Sequence, residues 1–259
     1  MSNFELTLVL QYQLDSSGLS RYIEAMQPWS IRIGKFLFKF RSFTPLPLIL
    51  LTCIFFKPLS LAPLWTVTGL IIALAGEGIR MIAVGYAGSG TSGRESYLKA
   101  DSLNTSGLYS LTRNPLYWGN GLIFAGLLTV YAQPLALAVF IVFLLLQYHF
   151  IILAEESFLR ESYGPAYEEY CRRVNRWLPA WRGYAPPGRP LAWRKVFFKE
   201  NDSCFNLLLA ALLILAWKEK HFLGRVRQPL LYAGTALLLI LIYAWVKVLK
   251  KKQAAKIAA

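Results

Sequence analysis

Long apolar runs constrain this chain more than any other feature. Residues 134–154 contain no Asp, Glu, Lys or Arg, and 229–248 is bounded by Pro229 and by the cluster Lys250-Lys251-Lys252. A helix needs about 20 apolar residues to cross roughly 30 Å of hydrocarbon, and these two runs meet that length. Further apolar runs lie at 45–62, 64–84, 116–131 and 204–217. With 16% charged residues in 259, the chain falls well below the roughly 25% of soluble domains. The expected fold is all-α: a polytopic transmembrane helical protein with about five to six membrane segments.

Lys and Arg number 28 against 14 Asp and Glu, a net charge of +14, and most of the basic residues flank the apolar runs. That pattern suits anionic lipid headgroups as partners. It argues against nucleic acid, because zinc-finger spacing and single-strand-binding patterns are missing from the sequence. Cys53, Cys171 and Cys204 lack the paired spacing of a zinc site or redox dithiol, so no metal is expected. Glu5 and Asp15, without a basic stretch before an apolar core, make a cleavable signal peptide unexpected.

Lys35, Lys39 and Arg41 precede the first run, and Arg94, Lys99, Arg113 and the Arg-rich 160–199 stretch follow later ones. These loops therefore read as cytoplasmic, and the short connections 57–63 and 132–134 as external. The run 204–217 is the weakest, about 21 Å long at 1.5 Å per residue, and the side on which the C-terminus lies depends on it. Lys218, Lys220, Arg225 and Arg227 leave that question open, since six crossings would put them outside. Residues 18–41 mix Trp29, Ile31, Ile33, Phe36, Leu37 and Phe40 with Arg32, Lys35 and Lys39, the pattern of an interfacial amphipathic helix. The expected organisation is an interfacial region at 1–44, a membrane core at 45–179, and a connector with C-terminal membrane helices at 180–259.

Polar chemistry converges around one helical hairpin. Ala132-Gln133-Pro134 is so short that 116–131 and 134–154 must run antiparallel, which brings their far ends together. One far end carries Arg113 and Asn114, and the other carries Glu155 and Glu156. Opposed clusters of this kind suit a zwitterionic ligand, although Arg and Glu at helix ends are also ordinary interfacial residues. After Gly164-Pro165 a further helix is expected to run to about Trp177, stopped by Pro179, with Tyr163, Tyr167, Tyr170 and Arg173 on one face.

Two motifs here resemble those of the isoprenylcysteine carboxyl methyltransferase and phospholipid methyltransferase family of integral-membrane enzymes. The first is Gly107-Leu108-Tyr109-Ser110-Leu111-Thr112-Arg113-Asn114-Pro115-Leu116-Tyr117, similar to G-x-Y-x-x-x-R-H-P-x-Y. The second runs from Glu155-Glu156 through Tyr163-Gly164, Tyr167, Tyr170, Val174 and Arg176 to Pro179, with one spacer residue fewer before Val174 than in the family. The resemblance covers roughly residues 107–179. It implies S-adenosylmethionine bound on the cytoplasmic side and methyl transfer to a lipid or lipidated acceptor from the bilayer. Residue by residue, it implies that Leu111, Arg113, Asn114, Tyr117, Glu155, Glu156, Tyr167 and Tyr170 border the cofactor, with Arg113, Glu156 and Arg173 as the catalytic set. Asn114 stands where many members have His; it hydrogen-bonds but does not titrate, so binding is its expected role.

Glu77 and Arg80 sit one turn apart inside the 64–84 run, where ionisable groups pair with each other or line a cavity. Either role is open, and both residues are acceptor-binding candidates. So is Arg94, in the Gly88–Arg94 loop, whose amides suit an acidic headgroup but equally suit a plain connector. Of the two histidines, His149 lies near the end of a run, where it either anchors the interface or lines the active cavity, and His221 lies in a basic connection; neither is a metal-site candidate. Two other classes compete with methyl transfer: an NADPH-dependent membrane sterol-type reductase, which resembles this family at a similar Arg-His-Pro stretch, and a non-catalytic lipid-binding or transport protein.

Overall fold

The computed structural model describes residues 28–88, 98 and 100–258. They form eight α-helices: α1 (Trp29–Phe40), α2 (Pro45–Phe55), α3 (Pro63–Tyr86), α4 (Pro115–Tyr131), α5 (Pro134–Tyr163), α6 (Pro165–Arg173), α7 (Trp193–Leu223) and α8 (Pro229–Ala258). Short 3-10 turns at Gly107–Ser110 and Trp181–Gly183 lie between them, and no strand occurs among the described residues. Six of the eight helices begin with proline, which fixes φ where the missing N–H costs nothing.

Four helices are long and apolar enough to cross a membrane: α3, α5, α7 and α8. The pair α1 and α2, bent by 72° at their junction, makes a fifth if taken as one broken span. Helix α4 has 17 residues, about 26 Å at 1.5 Å per residue, slightly short of the hydrocarbon thickness. Large apolar side chains such as Ile71, Leu74, Val142, Leu146, Leu230, Leu237 and Trp245 face outward. Helices pair their backbone groups internally, and that apolar exterior is what a bilayer accepts.

Two readings of length change. The stretch 45–62 is helical only to Phe55, because Phe56 turns extended ahead of Pro58. The stretch 204–217 is the middle of a helix of 31 residues, about 46 Å long. Lys195, Glu200 and Lys218 interrupt the apolar character of this helix, yet each finds a partner inside the fold. At one end Lys195 donates to the carbonyls of Ala87 and Gly88, both at 2.8 Å. At the other, Lys218 donates to Val130 O at 2.8 Å, in the last turn of α4. Helix α7 therefore runs the whole height of the bundle, and Lys218 lies at the end opposite Arg113 and Glu156.

The 57–63 and 132–134 connections lie together at that far end. Leu59 N donates to Ala132 O at 3.0 Å, and the Tyr131 hydroxyl donates to Phe56 O at 2.6 Å. Ala132 closes the α4–α5 hairpin in a left-handed conformation (φ 59°), and the Gln133 side chain accepts the Leu135 N–H at 3.1 Å. The expected hairpin is present.

Helices α3 and α4 touch through facing glycines. A Cβ added at Gly69 would lie 2.5 Å from Gly126 O, and one at Gly76 would lie 2.6 Å from Gly119 O. This is close backbone packing through small residues, as membrane helices use it. Helix α1 docks on α5 in the same way: Gly34 rests on the Phe150 carbonyl, Phe38 is buried, and Arg32 and Lys39 face outward. Phe38 joins Phe140, Leu144, Tyr148, Ile151 and Ile152 in the main apolar core. The part of the amphipathic region before residue 28 lies outside the described residues.

Candidate functional site

The far ends of the α4–α5 hairpin are tied together by the strand-like segment that follows α6. Helix α6 stops at Arg173, and Val174 is extended (φ −121°, ψ 128°), so the expected continuation to Trp177 does not form. The extended backbone runs alongside the first motif instead. Arg113 N donates to Asn175 O at 2.9 Å, Ala180 N to Leu111 O at 2.9 Å, and Gly107 N to Ala185 O at 2.8 Å. The Thr112 hydroxyl lies 3.2 Å from the carbonyls of both Arg176 and Trp177, and Trp118 Nε1 donates to Trp177 O at 2.6 Å. Gly107 has φ +61°, a left-handed turn that favours glycine. The spacing of the two motifs is the spacing of this backbone zipper.

Glu156 is the centre of the junction, 2% exposed. Arg176 forks onto it, with Nε 3.0 Å from Oε1 and Nη2 2.7 Å from Oε2. Arg113 Nη2 lies 3.1 Å from Oε1, and Arg160 Nη2 3.6 Å from Oε2. Three guanidiniums around one carboxylate leave a local excess of positive charge. The fork holds the Arg176 pKa above its ordinary value. Arg113 Nε is buried without a hydrogen-bond partner.

Asn114 explains how Arg176 reaches this position: its Nδ2 donates to Arg176 O at 3.0 Å. Here Asn does the work of a neutral N–H donor, for which titration is unnecessary. Arg176 belonged to the motif but not to the expected site, and Arg173 does not reach the cluster. Arg173 is 66% exposed and lies 3.5 Å from Glu169 on the surface of α6.

Glu155 is directed away from Glu156, because successive residues on a helix point about 100° apart. Its carboxylate lies close to the Tyr117 side chain. The Tyr117 ring lies 4.6 Å from that of Tyr148, and Asn120 is a neighbour of Tyr148. Tyr167 is fully buried and Tyr170 nearly so; the Tyr170 hydroxyl donates to Tyr109 O at 2.7 Å. Burial pushes the Tyr109, Tyr167 and Tyr170 hydroxyls above their ordinary pKa, so they act as neutral donors.

Glu77 and Arg80 do not pair with each other. Each meets α7: Arg80 donates to Glu200 Oε2 from Nε at 3.0 Å and Nη2 at 2.7 Å, while Ser203 and Cys204 donate to the two Glu77 oxygens at 2.6 and 3.1 Å. Arg80 also bonds Asn120 Oδ1. Arg80 and Asn120, with the Tyr117–Tyr148 ring pair and Glu155, are thus neighbours in turn between α3 and the hairpin end. Glu200, Asn120 and Tyr148 were not read from the sequence as site residues. Arg94 and most of its loop lie outside the described residues; Gly88 is held by the Asn104 side chain at 2.7 Å. His149 is exposed on α5, and no metal-binding cluster occurs among the described residues.

Fold and site together define a polytopic helical membrane protein with an arginine–carboxylate junction at one end of its bundle. Residues 64–166 of the chain match the phospholipid methyltransferase family model, a segment that contains the first motif and the second as far as Pro165. Among curated proteins, two probable protein-S-isoprenylcysteine O-methyltransferases, from Oryza sativa subsp. indica and subsp. japonica, are each 35% identical over 113 residues. That alignment covers 43% of this chain and 59% of each rice protein, so the chain spans just under three-fifths of the relatives' length. No solved structure matches the chain.

Proposed function

We propose that the protein is an S-adenosylmethionine-dependent integral-membrane methyltransferase acting on a lipid or lipidated acceptor. The cofactor end is the Arg113–Glu156–Arg176 junction, and it faces the cytoplasm, as the basic loops at that end suggest. The carrying observation is the buried Arg113–Glu156–Arg176 junction, in which Arg113 Nε is left without a hydrogen-bond partner, at the hairpin end that also carries Glu155. The two rice relatives are named as methyltransferases, which supports the same reading.

The donor set fits the cofactor's charges. Arg113 supplies an unsatisfied N–H for the amino-acid carboxylate, held in place by Glu156. Glu155 and the neighbouring tyrosines Tyr117 and Tyr148 offer a carboxylate and ring faces to the ammonium and sulfonium. Leu111, with Tyr167 and Tyr170, closes the apolar side. Asn114 acts through Arg176, and Arg173 stands at the outer rim. When bound, the cofactor supplies a methyl group already activated on sulfur. The chain's residues then have to align donor and acceptor and exclude water. Glu77, Arg80 and Arg94 are assigned to the acceptor side, and anionic headgroups to the basic rim around the helix ends.

The test is calorimetric titration of the protein in lipid nanodiscs with S-adenosylhomocysteine and, separately, with NADPH. Saturable binding of the homocysteine compound alone is expected. Binding of NADPH alone would move the protein to reductase chemistry, and binding of neither would count against both enzyme readings and favour a lipid carrier.

A further inference from the structure

The end of the bundle opposite the Arg113–Glu156 junction carries a cation that methyl transfer does not use. Lys218, near the end of α7, is 1% exposed. Its ammonium donates to Val130 O at 2.8 Å, and no carboxylate pairs with it among the described residues. Glu219, next in sequence, instead places its Oε2 2.8 Å from the Arg227 N–H. An ammonium has three N–H donors, and a buried cation without a counter-charge is costly, so an anion beside it is favoured.

Lys218 also forms part of the wall of a cavity of about 270 Å³. The cavity lies where the start of α3, the end of α7 and the start of α8 meet. Val67 borders it from α3, Glu219 from α7 and Tyr232 from α8, with Arg227 from the loop between α7 and α8. Two cations thus stand there against one carboxylate. Trp65 and Trp217, both exposed, mark this level as the headgroup boundary of a bilayer. Val67 and the exposed Ile71, one turn apart on α3, extend an apolar strip from the cavity toward the bilayer centre. Net positive charge, interfacial depth and an apolar flank suit a phosphate that carries acyl chains.

Helix α8 is the element that gains from such an occupant. Only 6% of its most apolar stretch is buried. Its ties to α7, the Phe205–Tyr243 stack at 4.3 Å and the Lys247–Asp202 pair at 2.7 Å, lie toward the other end of the bundle.

We propose that this cavity binds one anionic phospholipid of the leaflet opposite the Arg113–Glu156 junction. The lipid phosphate sits between Lys218 and Arg227, an acyl chain follows Val67 and Ile71, and the bound lipid ties α8 to α3 and α7.

The experiment uses the full chain in a neutral detergent and follows thermal unfolding with phosphatidylglycerol, phosphatidylcholine or inorganic phosphate added at equal concentration. Phosphatidylglycerol is expected to raise the midpoint by about 4 °C or more, phosphatidylcholine by less than half as much, and inorganic phosphate not at all. Lys218→Met is expected to fold and lose most of the shift, and Lys218→Arg to keep it. Lys251→Gln, at the other end of α8, should keep it fully. No shift with phosphatidylglycerol, equal shifts from the two lipids, a full shift from inorganic phosphate alone, or a full shift in folded Lys218→Met protein would each overturn the assignment. Should Lys218→Met not fold, Arg227→Gln on the exposed loop decides: a shift at least halved supports the site, and an unchanged shift removes it. S-adenosylhomocysteine affinity should be the same in wild-type and Arg227→Gln protein, so the lipid site and the methyltransferase reading stand or fall separately.

Discussion

Replacing Glu156 by Gln is expected to lower both stability and S-adenosylhomocysteine affinity sharply. The amide matches the carboxylate in shape but leaves Arg113 and Arg176 without their counter-charge in a site where Glu156 is 2% exposed. Breaking a buried ion pair by removing one partner costs about 3–5 kcal/mol, because the remaining charge stays buried. Affinity should fall by roughly 100-fold or more, since each 1.4 kcal/mol is a factor of ten. Arg160→Ala is the contrasting case. Arg160 is 45% exposed and 3.6 Å from the same carboxylate, so its loss should cost at most about 1 kcal/mol. Thermal unfolding in detergent and calorimetry on both variants check the pair. Equal effects would mean that Glu156 is not the centre of the junction.

The second large effect is expected at Gly126. A Cβ there would press on Ala73 N and lie 2.5 Å from Gly69 O and 2.7 Å from Ala73 Cβ. Two of these are backbone atoms, which cannot turn aside as a side chain does. Gly126→Ala should destabilise by about 1–3 kcal/mol or more, and Gly126→Leu should yield no monodisperse folded protein, because α3 and α4 would be forced apart. Gly121→Ala, on the same helix with nothing within 4 Å of the added carbon, should be tolerated. Size-exclusion profiles and unfolding midpoints of the three variants decide the matter. An unaffected Gly126→Leu protein would show that the glycine contact does not hold the bundle.

The hairpin and the two motifs were legible because their signals are local. Ala132-Gln133-Pro134 can only turn the chain back, and Arg113, Asn114, Glu155 and Glu156 then meet at its open end. The guanidinium that completes the site was harder to read. Helical periodicity carried past Arg173 makes Arg173 the next residue on the tyrosine face, but the helix ends there and the extended Val174 lets Arg176 turn inward. Asn114 holds it through the Arg176 carbonyl, a contact between side chain and backbone 62 residues apart.

Helix α7 was obscured for a different reason. Lys195, Glu200 and Lys218 lower its apolar character, and only the folded chain provides the carbonyls and the Arg80 that accommodate them. Arg80 and Glu200 are 120 residues apart. No sequence period links them, so the sequence leaves open whether Arg80 and Glu77 pair with each other or line a cavity, whereas both bond to residues of α7. Charge along the chain could not set the direction of α7 either. Lys195 at one end and Lys218 at the other do so once their acceptors are seen.

The most direct test of the central claim is methyl transfer itself. Protein in nanodiscs made with native lipids is incubated with S-adenosylmethionine carrying a labelled methyl, and the lipid extract is counted against an Arg113→Ala control. The account predicts label in the extract from wild-type protein and almost none from the variant. Wild-type protein that is folded yet leaves the lipids unlabelled, or a variant that labels them equally well, would contradict it.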